Sequence, residues 1–182
     1  MKVCIDSGHG GSDPGAIGRK PFRLEEKKFN LSLAELLEQE LEERGHWVVM
    51  TRRQDRTLSL RARAGFANRL EADFFVSIHA NAAFDARASG MEVFHFPGSA
   101  TGRMAARHVL NKMIAAFPTH KKRGVKEANF TVLRETLMWA VLVECEFLTN
   151  PSQLRFLANR TNQEKLAAAI ADGVDAVAGE IG

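Results

Sequence analysis

The chain has 182 residues, 45% of them hydrophobic, with 25 Lys+Arg against 22 Asp+Glu. That size and composition predict one globular domain spanning 1–182 with a substantial core, and no apolar stretch is long enough to span a membrane. A net charge of +3 suits an anionic polymer such as a bacterial wall, but no basic stripe interleaved with aromatics supports a nucleic-acid binder.

Strand and helix patterns alternate along the chain. Residues 2–6 read as a strand that runs into Ser7-Gly8-His9-Gly10-Gly11. The stretch from Gly10 to Leu24, rich in Gly and Pro, reads as a long loop over the end of that strand. Residues 30–44 read as a helix with Leu33, Leu36, Leu37 and Leu41 as its inner stripe, Asn30 as cap and Gly45 as stop, although it can begin a turn earlier. Residues 47–51 form a second strand. A second helix from Ser59 to Leu70 places Leu60, Ala64, Ala67 and Leu70 inward. Residues 73–78 are fully apolar apart from Asp73 and Ser77 and read as a strand buried on both faces.

Gly90 introduces another strand, Met91 to Phe96, followed by a helix over 101–117 that ends before Pro118. A short strand is expected around Thr131 to Leu133. Residues 140–147 form the last central strand, Asn150-Pro151 opens a helix, and 162–178 form a closing Ala-rich helix. The pattern is α/β, a largely parallel sheet covered by helices. Cys4 and Cys145 fall in buried strands with no Cys-x-x-Cys spacing, so they read as reduced core residues.

Sites in such sheets form at the carboxyl ends of strands. His9 and His79 both sit there, His9 among glycines that let the backbone bend sharply and approach a ligand. Two imidazoles and one carboxylate form the protein ligand set of a catalytic zinc, and a free glutamate beside the metal is the usual general base. For the carboxylate ligand, Glu26 is a candidate, yet Glu25-Glu26-Lys27-Lys28 reads by itself as an ordinary exposed helix start. Glu144 sits inside an apolar strand, where a buried carboxylate needs a cation, a metal or a donor. Glu146, two residues on, is expected on the same face, and pattern alone does not rank the pair. Of the other histidines, His46 and His108 read as surface residues, His95 as a strand residue, and His120 as part of the basic loop His120-Lys121-Lys122-Arg123, whose plain reading is a solvated loop.

Several motifs occur in a fixed order: Ile5-Asp6-Ser7-Gly8-His9-Gly10-Gly11 with Asp13-Pro14-Gly15-Ala16, Glu26-Lys27 with Asn30-Leu31, Thr51-Arg52, and Ser77-Ile78-His79-Ala80-Asn81. They continue with Arg123-Gly124-Val125, then Val141-Leu142-Val143-Glu144 with Phe147-Leu148-Thr149-Asn150-Pro151. In this the chain resembles, over nearly its whole length, the zinc-dependent N-acetylmuramoyl-L-alanine amidases of the amidase-3 type. The resemblance implies one zinc held by His9, Glu26 and His79, with Glu144 as the catalytic glutamate. It also implies a twisted, mostly parallel mixed sheet of about six strands, and peptidoglycan as substrate. Asp6 and Asn81 are then candidates for holding ligands or positioning substrate, and Arg123 for binding a stem-peptide carboxylate or lying at the surface.

The chain departs from the family pattern at Glu146, where glycine is usual, at Ser7 and at Trp139. Glu146 is thus expected as an acidic group near the site. Some relatives insert a long inhibitory helix after the strand that follows the second histidine. Here only a short connection joins Phe96 to the next helix, so an open site is expected. With no signal peptide evident after Met1, action in the wall or periplasm implies export by another route, a phage origin or a removed leader. A monomer is expected. Two rivals stand beside this reading: another metallohydrolase on the same scaffold, such as a zinc carboxypeptidase, and a non-catalytic wall-binding module.

Overall fold

The computed structural model describes residues 1–181. In chain order the elements are β1 (Lys2–Ser7), β2 (Ile17–Gly18), β3 (Leu24–Glu25), α1 (Glu26–Glu43), β4 (Trp47–Met50), α2 (Leu60–Arg69) and β5 (Phe74–Asn81). There follow β6 (Met91–His95), α3 (Ala100–Ala116), β7 (Lys122–Glu127), α4 (Thr131–Arg134), β8 (Trp139–Phe147), α5 (Pro151–Ala158) and α6 (Arg160–Ile181). Six strands form one sheet in the order β4-β1-β5-β8-β6-β7. Strands β4, β1, β5 and β8 are parallel, and β6 meets β8 antiparallel. This is the predicted mostly parallel mixed sheet.

Alternation along the strands divides the core in two. Val3, Ile5, Val76, Ile78, Val141 and Val143 share one cluster with the inner stripes of α1, α3 and α6. Cys4, Phe75, Ala140 and Leu142 share the other with Ala67 of α2 and Val132 and Leu133 of α4. The α2 and α4 layer is the smaller, and it leaves the carboxyl ends of β1, β5 and β8 open on that face. Both cysteines are free and buried.

Several elements differ from their sequence expectation. Helix α1 begins at Glu26 rather than Asn30, and Asn30 is fully buried, its amide turned to the Gly8 carbonyl at 3.2 Å. The acidic start of the helix is buried because it caps the end of the sheet. Leu60 points outward, since α2 begins there and only Arg63, Ala64 and Ala67 reach the interior. The segment 131–133 is a turn of helix, and the strand beside β6 is instead Lys122–Glu127, which pairs with it in parallel. Within the long loop, β2 and β3 pair antiparallel. His46 is mostly covered, bonded at 2.7 Å to Asp175 of α6.

Candidate metal centre

His9 follows β1 with φ 59°, a left-handed backbone uncommon for a non-glycine residue. His79 lies near the end of β5, and Glu26 is the first residue of α1. The three meet at one point. Glu26 Oε2 stands 3.1 Å from His9 Nε2, and Glu26 Oε1 stands 2.8 Å from His79 Nδ1. One donor atom from each residue lies within 4.8 Å of the other two. The carboxylate is fixed from behind by the amides of Ala16 (2.8 Å) and Ala80 (3.2 Å). Asp13 takes the other ring nitrogen of His9 at 2.7 Å, the arrangement that fixes the tautomer of a metal-binding imidazole. Gly15, at φ 65°, is needed here, because a Cβ would stand 2.5 Å from Glu26 Oε2.

The electrostatics favour a cation at this point. Burial works against protonation of His9, but the carboxylates of Glu26 and Asp13 outweigh it and push the ring up to about 9. Burial alone would raise Glu26, yet His79 and His9 hold it far below the usual carboxylate range. Two nitrogens and a buried carboxylate oxygen, with anionic charge awaiting balance, are a donor set that fits zinc.

Glu144 stands beside this cluster. It is the register partner of His79 across β5 and β8, and both line a cavity of about 540 Å³. The cavity runs between the start of α2 (Leu58, Ser59, Leu60) and the start of α4 (Asn129, Phe130). Glu144 Oε2 is buried without a hydrogen-bond partner. Burial, followed by the negative charges of Glu26 and Glu92, raises the Glu144 carboxyl well above its ordinary value.

Residues 3–176 match the family described as N-acetylmuramoyl-L-alanine amidase, amidase-3 type. The chain belongs to this amidase family. It is 38% identical over 176 residues to the uncharacterized protein YqiI of Bacillus subtilis (strain 168), covering 95% of this chain and 82% of that protein. It is 37% identical to the N-acetylmuramoyl-L-alanine amidase LytC of the same organism, with 94% of this chain covered but only 34% of LytC. A solved N-acetylmuramoyl-L-alanine amidase from Clostridium difficile 630 superposes with a TM-score of 0.95 at 36% identity, covering 100% of this chain and 98% of the other.

The amidase site has a supporting layer that only partly matches the sequence reading. Asp6 is fully buried and accepts from Thr51 Oγ1 (2.7 Å), Ser77 Oγ (2.7 Å) and Arg63 Nη1 (2.9 Å), so it supports the turn beneath His9. Asn81 and Arg123 both end on Glu92, at 2.6 and 2.8 Å, and Lys126 joins them there. Glu92 is the register partner of Glu144 across β6 and β8. Arg123 thus pairs through Nε with a carboxylate of the protein itself and keeps part of its side chain exposed.

Glu146 does not line the cavity. Its carboxylate accepts from Gly90 N at 2.7 Å and meets His120 Nδ1 at 2.9 Å. Simple alternation fails because the β5–β8 register shifts between His79 and Asn81, so His79 faces Glu144 while Asn81 faces Phe147. The extra residue on β8 breaks the two-residue period. His120, in the loop between α3 and β7, meets Phe117 edge-on and lies tilted against Phe156, and is thus a partly buried partner of Glu146.

Sequence reasoning missed Arg63 and Glu92, both nearly fully buried, and gave the buried Arg52 no role beyond the Thr51-Arg52 motif. Their signal was position: Arg63 adjoins Ala64 on the inner stripe of α2, and Glu92 shares a strand face with Phe94. His95 and His108 lie elsewhere, bonded to the Phe96 carbonyl and paired with Glu180.

Proposed function

We propose that this amidase hydrolyses the amide joining the lactyl group of N-acetylmuramic acid to the L-alanine of the stem peptide, with one zinc ion held by His9, Glu26 and His79. The observation that carries the reading is Glu144, a half-buried carboxylate with one buried, partnerless oxygen, in register with His79 and lining the same cavity. Zinc, when bound there, supplies Lewis acidity for the scissile carbonyl and for a water. Glu144 takes a proton from the attacking water and delivers it to the leaving amine of L-alanine. Asp13 keeps the His9 ring oriented throughout.

The products are a muramyl lactyl carboxylate and a stem peptide with a free amino terminus. Peptidoglycan is the polymer that carries this bond, so the cell wall or periplasm is the proposed place of action. No helix among the described residues is long and apolar enough to cross a membrane.

Mass spectrometry of a defined muropeptide incubated with the protein tests the reading, with chelator and zinc restoration as arms. Release of intact stem peptide beginning with L-alanine, stopped by chelator and restored by zinc, is the expected result. A shortened peptide would replace the amidase by a carboxypeptidase, and an untouched muropeptide from zinc-loaded protein would leave only a binding module.

A further inference from the structure

We propose that Arg63 is a positioning residue that holds the turn from Asp6 to His9, and with it the His9 imidazole, in metal-binding register. The inference rests on the zinc reading above. Arg63 comes from α2, a separate element from β1, and is only 3% exposed. Its guanidinium takes Asp6 Oδ1 at 2.9 Å, the Ser7 carbonyl at 2.7 Å and the His9 carbonyl at 2.6 Å. A second buried arginine, Arg52, takes the Ser7 and Gly8 carbonyls, each at 2.9 Å, and the Lys27 carbonyl at 2.9 Å. Three successive carbonyls, Ser7, Gly8 and His9, are thus all turned onto two guanidinium groups.

Such an arrangement does more than satisfy buried oxygens. The backbone of His9 is left-handed, at φ 59°, an uncommon conformation for a residue with a side chain. Arg63 is the side chain that grips the carbonyl of His9 itself. The planar fork of arginine spreads five donors over three nitrogens, whereas a lysine offers its three from one point and cannot hold acceptors so far apart in the same geometry. Asp6 balances its charge, and Thr51 and Ser77 fix Asp6 in turn. The assembly is therefore a base under one ligand, and among the described residues Arg63 makes no hydrogen bond to Glu26 or Glu144. Residues standing behind metal ligands in this way set affinity as well as orientation, and losing one weakens metal binding about 10- to 100-fold.

The test is zinc affinity, measured on R63K by competition with a chromophoric chelator, together with the visible absorption spectrum of the cobalt-substituted protein. R63K keeps a cation for Asp6 but cannot span Asp6, Ser7 and His9. Val174→Ala, a core truncation in α6, serves as a control that lowers stability away from the site. The expected result is a folded R63K with zinc binding about 10- to 100-fold weaker and an altered cobalt spectrum, while V174A keeps both parental values. R63K with parental zinc affinity and spectrum would overturn the proposal, as would V174A losing affinity equally. If R63K does not fold, R63Q is measured in its place, and failure of both to fold beside a folded V174A would make Arg63 a folding residue only. Failure of the parent protein to bind zinc would instead sink the metal reading.

Discussion

Gly8 packs directly against the imidazole of His79: a Cβ built on Gly8 would stand 2.3 Å from His79 Cε1 and 2.4 Å from Nε2. The turn that delivers His9 therefore also forms the wall behind His79, and the two rings meet edge to face with centroids 5.0 Å apart. Gly8→Ala is expected to displace His79 and abolish zinc binding and turnover together. Zinc content of the purified variant by mass spectrometry checks this, and an active, zinc-replete G8A protein would contradict it.

Glu144→Gln removes the proposed base while keeping its shape. Turnover should fall at least about 100-fold, with zinc content unchanged. Single-turnover release of stem peptide and metal analysis on the same sample separate a lost base from a lost metal.

The same substitution has a stability consequence that depends on pH. In metal-free protein the folded-state pKa of Glu144 is raised by burial and by the charges of Glu26 and Glu92. Below its unfolded pKa, about 4.3, the carboxyl is protonated in both states and costs nothing. As pH rises beyond that, the unfolded state releases its proton while the folded state resists, so stability falls. Metal-free E144Q should thus be nearly as stable as the parent near pH 4 and more stable at pH 7 to 8. Thermal melts across that range test the sign, with about 2–4 °C expected for each kcal/mol.

Glu146→Gln should act on stability and not on chemistry. The carboxylate is fully buried and holds Gly90 and His120, which ties the start of β6 and the α3–β7 loop to β8. Loss of its charge is expected to cost about 1–3 kcal/mol, with turnover of the folded protein near the parental value. Urea unfolding and stem-peptide release measured side by side decide it, and a folded E146Q without turnover would bring this residue back to the reaction.

Removal of the proposed zinc should destabilise the domain, because His9, Glu26 and His79 come from three separate elements that a bound ion would tie together. With free zinc at a thousandfold excess over Kd, binding contributes about 4 kcal/mol. The melting temperature should drop on chelation by about 8–16 °C and recover when zinc is added back.

Much of the fold was legible because it is local. The apolar runs Val3–Ile5 and Phe74–Val76, the leucine stripe of α1 and the Asn150-Pro151 start of α5 each carry their own periodicity or cap, and each was found where the sequence placed it. His9 and His79 were legible for the same reason, each ending an apolar strand at the side of the sheet where sites form.

The residues that needed the tertiary structure are those whose meaning depends on register or on a distant element. Glu26 sits in a run of charges that looks exposed, and only the placement of α1 over the strand ends buries it between His9 and His79. Glu146 shares spacing with Glu144, but one extra residue in β8 turns it to His120, and a bulge leaves no mark in a two-residue pattern. Arg63 and Glu92 gain their roles across 54 residues to His9 and 31 to Arg123, contacts set by strand pairing and helix packing. The sequence by itself carried the alternation of the main strands and helices, the two histidines at the strand ends and, through the family it resembles, an expected ligand set. Only the tertiary structure decided which buried charges face the cavity and which hold it up, because burial of a charge is settled by the partners that long-range packing brings within reach.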